Sequence, residues 1–146
     1  MKALTQQFFT YLSNERGLSA RTIQAYQRDL DHLLAELAQQ GITSPASVTE
    51  YHVRALVARL HRQGLGARSV QRLLCAIRSF YRWLLKEGKA GSNPAQSVRA
   101  PKQLRKLPET LDADSVTRLL SFPANTALAI RDRAMLELFY SSGLRV

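Results

Sequence analysis

The sequence predicts an all-α fold, and three observations support that prediction. Glycines divide the first 90 residues into four segments of helical length, at Gly17, Gly41, Gly64 and Gly88. Apolar residues within these segments recur every three or four positions, which places them on one face of a helix. Almost no stretch alternates apolar and polar residues as a half-buried strand does. We therefore expect four helices arranged as two helical hairpins, followed by a linker and further helices.

The second predicted helix has the clearest boundaries. Ser19 is a favourable N-cap residue, and Leu18 and Ile23 have the spacing of a hydrophobic staple. Its apolar stripe comprises Ile23, Tyr26, Leu30, Leu33, Leu34 and Leu37. The first and third helices carry shorter stripes, namely Leu4, Phe8, Tyr11 and Leu12, and then Val53, Leu56, Val57 and Leu60. All three stripes are expected to face the core.

The fourth predicted helix, near residues 66–86, separates apolar from basic residues most sharply. Its apolar side comprises Leu73, Ile77, Phe80, Tyr81 and Leu84. Its basic side, within an arc of about 120°, comprises Arg68, Arg72, Arg78, Arg82 and Lys86. Like charges four residues apart disfavour an isolated helix, so a stripe of one sign indicates a binding surface. A helix fits the major groove of duplex DNA, where such a stripe could contact phosphates and base edges.

The net charge of +10 is unevenly distributed along the chain. Residues 1–90 carry +7, residues 91–108 carry +4, and residues 109–146 carry −1. A basic domain followed by a basic linker predicts a polyanionic partner, and a nucleic acid is the usual one. A merely soluble basic protein is the alternative that composition alone leaves open.

Composition also argues against several other classes of protein. No apolar run approaches the roughly 20 residues that span a bilayer, so we expect a cytoplasmic protein with no membrane partner. The single cysteine, Cys75, cannot form an internal disulfide. The histidines, His32, His52 and His61, lack the paired spacing of a zinc site. No metal site and no cofactor is predicted.

Residues 17–24 and 64–71 resemble each other, with five identical positions and Thr/Ser and Ile/Val exchanges at two more. Each copy is expected to open the second helix of a hairpin and to present an arginine and a hydroxyl there. Helix N-termini attract phosphate oxygens. With the basic stripe, the motifs of the second helix and the linker cations, the predicted DNA-binding residues are Arg21, Thr22, Arg28, Arg68, Ser69, Arg72, Arg78, Arg82, Lys86, Arg99 and Lys102.

Motifs along nearly the whole chain resemble those of one family. In the helices they are Leu18-Ser19 to Thr22, Ala25-Tyr26, Arg28-Asp29-Leu30, and Arg78-Ser79-Phe80-Tyr81 with Leu84. In the linker they are Asn93-Pro94-Ala95, Pro101-Lys102 and Leu107-Pro108. The chain then reads Arg131-Asp132, an apolar run, and Gly143-Leu144-Arg145. This conjunction resembles the N-terminal portion of tyrosine site-specific recombinases of the Xer type.

The resemblance implies an organisation in three parts. A four-helix, SAM-like core-binding domain would occupy residues 1–90, a basic interdomain linker residues 91–108, and the truncated helical start of a catalytic domain residues 109–146. The second and fourth helices would approach the major groove of duplex DNA. The catalytic domain would close on the duplex from the other side.

The resemblance also implies an activity for the full-length parent. In the family a tyrosine attacks the scissile phosphate without a metal and forms a 3′-phosphotyrosyl link. Arg145 matches the first catalytic arginine, whereas the nucleophile and the remaining catalytic residues would lie beyond Val146. The parent would act with a sister recombinase in a tetrameric synapse, resolving chromosome or plasmid dimers. This chain is expected to bind duplex DNA without cutting it.

The sequence leaves two other functions open and predicts one form of assembly. The chain could be a non-enzymatic helical DNA-binding module, or an interaction bundle whose basic face meets an acidic protein. Residues 109–146 are predicted to form helices near 112–121 and 127–141. Their apolar residues are Val116, Leu119 and Leu120 in the first and Leu128, Met135, Leu138 and Phe139 in the second. Since these can cover each other only in part, self-association through residues 109–146 is expected.

Overall fold

A computed structural model describes residues 1–101 and 110–143, in which every regular element is helical. The α-helices are α1 (Lys2–Asn14), α2 (Ala20–Gln39), α3 (Glu50–Arg62), α4 (Ala67–Lys86), α5 (Ala113–Leu120) and α6 (Ala127–Ser142). A short 3₁₀ helix, Pro45–Ser47, lies between α2 and α3. The all-α prediction is confirmed. The chain divides into two compact units, residues 1–104 and 105–146.

The first unit is a four-helix bundle whose core is built around α2 and α4. These two helices pack most extensively against each other, while α1 and α3 each contact both of them. An aromatic cluster fills the α1–α4 contact, where the ring centroid of Phe8 lies 5.3 Å from that of Phe80 and 5.8 Å from that of Trp83. The apolar stripes predicted for α1 to α4 all contribute to this core.

Local sequence explains where α2 begins and ends. The Ser19 hydroxyl accepts a hydrogen bond from the Thr22 N–H at 3.3 Å, as an N-cap residue does. Leu18 and Ile23 both pack against the core, as a hydrophobic staple requires. After the helix, Gly41 adopts a φ of +69°, a backbone conformation that favours glycine.

The polypeptide that follows α4 folds back onto the bundle. Ala95 and Val98 are buried in the core, although the sequence predicted a linker from residue 91 onwards. The Asn93 side chain fixes this return, because its amide donates to the Arg78 carbonyl at 3.2 Å and its oxygen accepts from the Ala95 N–H at 3.1 Å. Residues 93–98 therefore pack as part of the bundle. The boundary between core-binding domain and linker at residue 90 stays a prediction.

In the second unit, α5 and α6 pack against each other. Each helix has a side-chain cap, since Asp112 accepts from the Ser115 N–H at 2.6 Å and Thr126 from the Ala129 N–H at 3.2 Å. Compared with the predicted bounds, α5 is one residue shorter at each end and α6 is one residue longer at its C-terminal end. No described residue of this unit is buried, and its exposed large apolar residues are Leu111, Leu119, Leu128, Ile130, Met135, Leu138 and Tyr140.

None of the helices within residues 1–101 and 110–143 is long and apolar enough to cross a bilayer.

Candidate nucleic-acid interface

The two similar segments at residues 17–24 and 64–71 have the same backbone course. Gly17 and Gly64 both have positive φ, and α2 and α4 begin three residues later, at Ala20 and Ala67. The segments differ at the N-cap, where Ser19 caps α2 and Gly66 gives α4 no side-chain cap. Each helix of the central pair therefore begins three residues after a glycine with positive φ, although only α2 has a side-chain cap.

The residues predicted to bind phosphate at these N-termini are placed differently. Arg21 and Arg68 are exposed in the first turns of α2 and α4. Thr22 and Ser69 are half-buried. The Thr22 hydroxyl lies 3.0 Å from the Ser19 hydroxyl, so it belongs to the α2 cap as well as to the surface.

The outward face of α4 is basic along the length of the helix. Four of the five predicted cations are exposed, namely Arg68, Arg72, Arg82 and Lys86. Cys75, a free thiol, is exposed between Arg72 and Arg82, and Ser79 is half-buried next to it. We call the four exposed cations together with Cys75 and Ser79 the α4 basic face. The apolar side predicted for α4 is buried throughout, so the helix is amphipathic as expected.

Arg78, the fifth predicted cation, is hydrogen-bonded to the segment that follows α4. Its Nε donates to the Ala95 carbonyl at 2.9 Å and its Nη2 to the Val98 carbonyl at 2.5 Å. The side chain is half-buried at the edge of the helix that faces residues 93–98. This guanidinium therefore binds two backbone carbonyl groups of the returning segment, and its predicted DNA contact stays a prediction.

Arg72 is exposed, but it is also paired with a carboxylate on the neighbouring helix. Its Nε donates to Asp29 Oδ2 at 2.8 Å and its Nη2 to Asp29 Oδ1 at 3.1 Å. The Asp29 side chain is 3% exposed and that of Arg72 is 44% exposed. The hydrogen bond to Asp29 raises the pKa of the Arg72 guanidinium, which stays protonated in any case.

Sequence reasoning did not select Asp29 as a site residue, although a signal was present. Asp29 lies three residues after Tyr26 and four before Leu33, both members of the predicted core stripe of α2. A carboxylate within an apolar stripe is costly to bury unless a cation or a hydrogen-bond donor meets it. The position therefore indicated a buried partner, which the fold supplies from α4.

The C-terminal half of α4 borders a small groove against the end of α1. The groove is lined by Tyr11, Arg16, Ser79, Arg82, Trp83 and Lys86. The Lys86 ammonium lies 5.5 Å from the centroid of the Tyr11 ring and 3.9 Å from a carboxylate oxygen of Glu15. Arg16 is exposed there and was not predicted as a site residue. This groove adds one cation from the α1–α2 turn, Arg16, to the α4 basic face.

The other predicted site residues lie away from α4 or outside the described ranges. Arg28 is exposed on α2, and its Nε donates to the Gln24 carbonyl at 3.4 Å. Arg99 is exposed just after the buried Val98. Lys102 and Arg145 lie outside the described residues. Gly143, directly after α6, has a φ of +63°, and its N–H donates to the Phe139 carbonyl as in an αL C-cap.

The first unit matches a known domain family. Residues 5–88 match the model of the phage integrase N-terminal SAM-like domain. These residues include α2, α4 and the α4 basic face.

The whole chain is also similar to bacterial recombinases. It is 49% identical over 146 residues to the tyrosine recombinase XerC of Xylella fastidiosa strain 9a5c. It is 48% identical to XerC of Xanthomonas axonopodis pv. citri over 96% of this chain, and 45% identical to XerC of Azotobacter vinelandii over all of it. The chain spans about half the length of these curated relatives. The resemblance to Xer-type tyrosine recombinases is thereby confirmed, and the chain belongs to the phage integrase family through its N-terminal SAM-like domain.

Proposed function

We propose that this chain is the DNA-binding half of a site-specific tyrosine recombinase and that it binds duplex DNA through α2 and α4. The α4 basic face is the observation that carries the proposal. Its cations are exposed on one side of a single helix, where they can meet phosphates that flank the major groove. The exposed Arg21 and Arg28 extend the same kind of surface onto α2.

Binding is expected to depend strongly on salt. Each phosphate that a cation neutralises releases condensed counterions, which contributes a slope of about −0.9 to log K against log salt concentration. Arg82→Glu combined with Lys86→Glu removes two exposed cations of the α4 basic face and leaves the Arg72–Asp29 pair intact. The salt slope should become shallower by about 2 and the affinity should fall greatly, because both phosphate contacts are lost.

The control is Lys2→Glu combined with Arg118→Glu, which changes the net charge equally but lies outside α2 and α4. Fluorescence anisotropy with an end-labelled duplex of about 30 base pairs, long enough for several phosphate contacts, measures both quantities. Equal losses in the two variants would mean that net charge alone drives binding. No binding of the unaltered protein at low salt would contradict the proposal, and binding of an acidic protein in its place would favour the interaction bundle.

In the full-length parent, we infer that Arg145 stabilises the transition state of strand cleavage. A guanidinium donates to two non-bridging phosphate oxygens at once and stays charged, so it can neutralise the phosphorane. Arg145→Ala in the parent should leave duplex binding nearly intact and slow formation of the covalent protein–DNA adduct. The barrier should rise by about 2 to 4 kcal/mol, as for loss of a transition-state donor. Equal adduct yields on a nicked suicide duplex would contradict this role.

Residues 1–146 alone are proposed to bind without cleaving. Burial raises the pKa of both Tyr26 and Tyr81, which makes the phenolate of each harder to form. The partners proposed for the parent are duplex recombination sites and a sister recombinase in a tetrameric synapse. Chromosome or plasmid dimers are its proposed substrates. For this chain alone, we propose self-association through the exposed apolar residues of α5 and α6.

A further inference from the structure

The Asp29–Arg72 pair is not explained by stability alone. Asp29 is 3% exposed at the contact between α2 and α4, where neighbouring positions are apolar. Removing a carboxylate from water has a desolvation cost, and the attraction within a salt bridge often does no more than cancel it. An apolar pair of similar volume commonly gives the folded protein equal or greater stability. The pair does, however, fix the orientation of a guanidinium that is still 44% exposed.

The geometry of the pair leaves one edge of the guanidinium available. Asp29 accepts from Nε and Nη2, which form one edge of the planar group. The second edge, formed by Nη1 and Nη2, has no hydrogen-bond partner within the described part of the chain. An edge of this kind donates two parallel hydrogen bonds to a pair of acceptors that lie side by side.

Two kinds of acceptor on DNA fit that edge, a phosphate and the O6 and N7 atoms of guanine. A phosphate contact gains mainly from net charge, and here Asp29 neutralises much of the charge of Arg72. A base contact depends mainly on direction, because the major-groove edge of guanine presents its two acceptors in a fixed plane. A buried carboxylate fixes the orientation of the guanidinium but reduces the net charge of the pair. Such a guanidinium therefore suits a base contact better than a phosphate contact.

We propose that Arg72 reads a guanine in the major groove and that Asp29 is the positioning residue that aims it. This inference rests on the proposed duplex binding through α2 and α4. Within that surface Arg72 would contact a base, whereas Arg82 and Lys86 would contribute charge. The pair thereby acts as a specificity element, and the other cations contribute affinity for any sequence.

The test is selection from a random-sequence duplex library by the full chain, with three variants compared against the unaltered protein. Asp29→Asn keeps the shape of the side chain and removes its charge, and Arg72→Lys keeps the positive charge and removes the fork. Glu36→Gln is the matched control. Glu36 is also a buried acid on α2 that pairs with an arginine, Arg59 of α3 at 2.6 Å, but it lies outside the proposed interface. Thermal melting of each variant accounts for lost stability.

We expect the unaltered protein and Glu36→Gln to select a motif with a guanine preference at one position. Asp29→Asn and Arg72→Lys should lose that preference at the same position and retain the rest of the motif. Direct titration against the selected duplex and its single-base variant should show discrimination falling from about 5- to 150-fold, the range for a bidentate base contact, towards unity.

Several results would overturn the inference. If Asp29→Asn retains the preference that Arg72→Lys loses, Asp29 does not aim the arginine. If both variants lose affinity equally for every sequence, Arg72 contacts phosphate. A protein that binds duplex without selecting any base contradicts the inference alone, whereas a protein that binds no duplex contradicts the proposed function as well.

Discussion

The two units of this chain both contain well-formed helices, but their large apolar residues have opposite degrees of burial. In the first unit, Leu73, Ile77 and Phe80 of α4 are completely buried between neighbouring helices. In the second unit, Leu128 is 63% exposed and Leu138 is 55% exposed on α6. The helices themselves are equally well specified, since α2, α5 and α6 all begin at a side-chain cap.

The difference shows that forming a helix and burying its apolar residues have different requirements. Capping and propensity are local and can fix a helix wherever it occurs. Burial needs a facing surface, which the first unit provides from four helices and the second, within residues 110–143, from two. Large apolar residues occur on most sides of α6, including Ile130 and Tyr140, and an all-round apolar helix is typical of a protein interior.

The strongest way to test this contrast is to make the same substitution in both units. Leu73→Ala should lower the free energy of unfolding by about 2 to 5 kcal/mol, because it leaves a cavity in a closed core. Leu138→Ala should change it by no more than about 0.5 kcal/mol, as at other exposed positions. Urea unfolding followed by circular dichroism measures both. At a protein concentration where the chain is monomeric, similar losses would mean that α6 is covered within the monomer.

The closed core of the first unit includes residues 93–98, which Arg78 of α4 holds through two hydrogen bonds. Arg78→Met keeps the apolar stem and removes the donors to Ala95 and Val98. The free energy of unfolding should fall by about 1 to 3 kcal/mol, because buried carbonyls lose their partner. Amide hydrogen exchange should accelerate at residues 93–98. Arg82→Met is the control, and equal protection of this segment in both variants would contradict the assignment.

A weaker effect is expected from the exposed apolar residues of the second unit. Each Å² of apolar area that association covers contributes about 25 cal/mol, but lost translational and rotational freedom offsets much of that gain. Self-association should therefore be concentration-dependent. Leu128→Glu combined with Leu138→Glu should abolish it in sedimentation velocity, whereas Gln39→Glu with Gln63→Glu should not. A protein that is monomeric at every concentration contradicts this expectation.

The smallest effect is a pH dependence within the first unit. Hydrogen bonds from Ser97 and Arg54 lower the pKa of the Glu50 carboxyl below its usual value. The carboxylate therefore stabilises the folded state above the usual pKa, and this contribution is lost as the pH falls through the lowered pKa. Between pH 6 and pH 3, about the range in which carboxyl groups titrate, Glu50→Gln should melt with a flatter pH profile. Parallel profiles would mean that the contacts to Glu50 do not persist in solution.

Much of this architecture follows from local sequence. The Ser19 cap and the repeated glycine turns locate the starts of α2 and α4 within a residue of the predicted positions. Periodicity also separates the basic from the apolar side of α4. These features depend on residues that are close in sequence, so propensity and pattern are sufficient to predict them.

The parts that sequence reasoning missed depend on distant residues. Arg78 belongs to the basic arc by its position on the helical wheel, but its hydrogen-bond partners lie 17 and 20 residues later. Asp29 meets Arg72 across 43 residues. Neither pairing has a local pattern, because each depends on how the helices and the returning segment pack. Charge on a helix face therefore predicts an exposed basic surface more reliably than it predicts which of its cations other residues hold.

Cys75 gives the α4 basic face a built-in chemical reporter. It is the chain's only cysteine, and its thiol is exposed between Arg72 and Arg82. A maleimide reagent must reach that thiol through the same space that a bound duplex would fill. The rate of alkylation thus gives the occupancy of this surface in solution without any substitution, and a fluorophore attached there would report from the middle of α4.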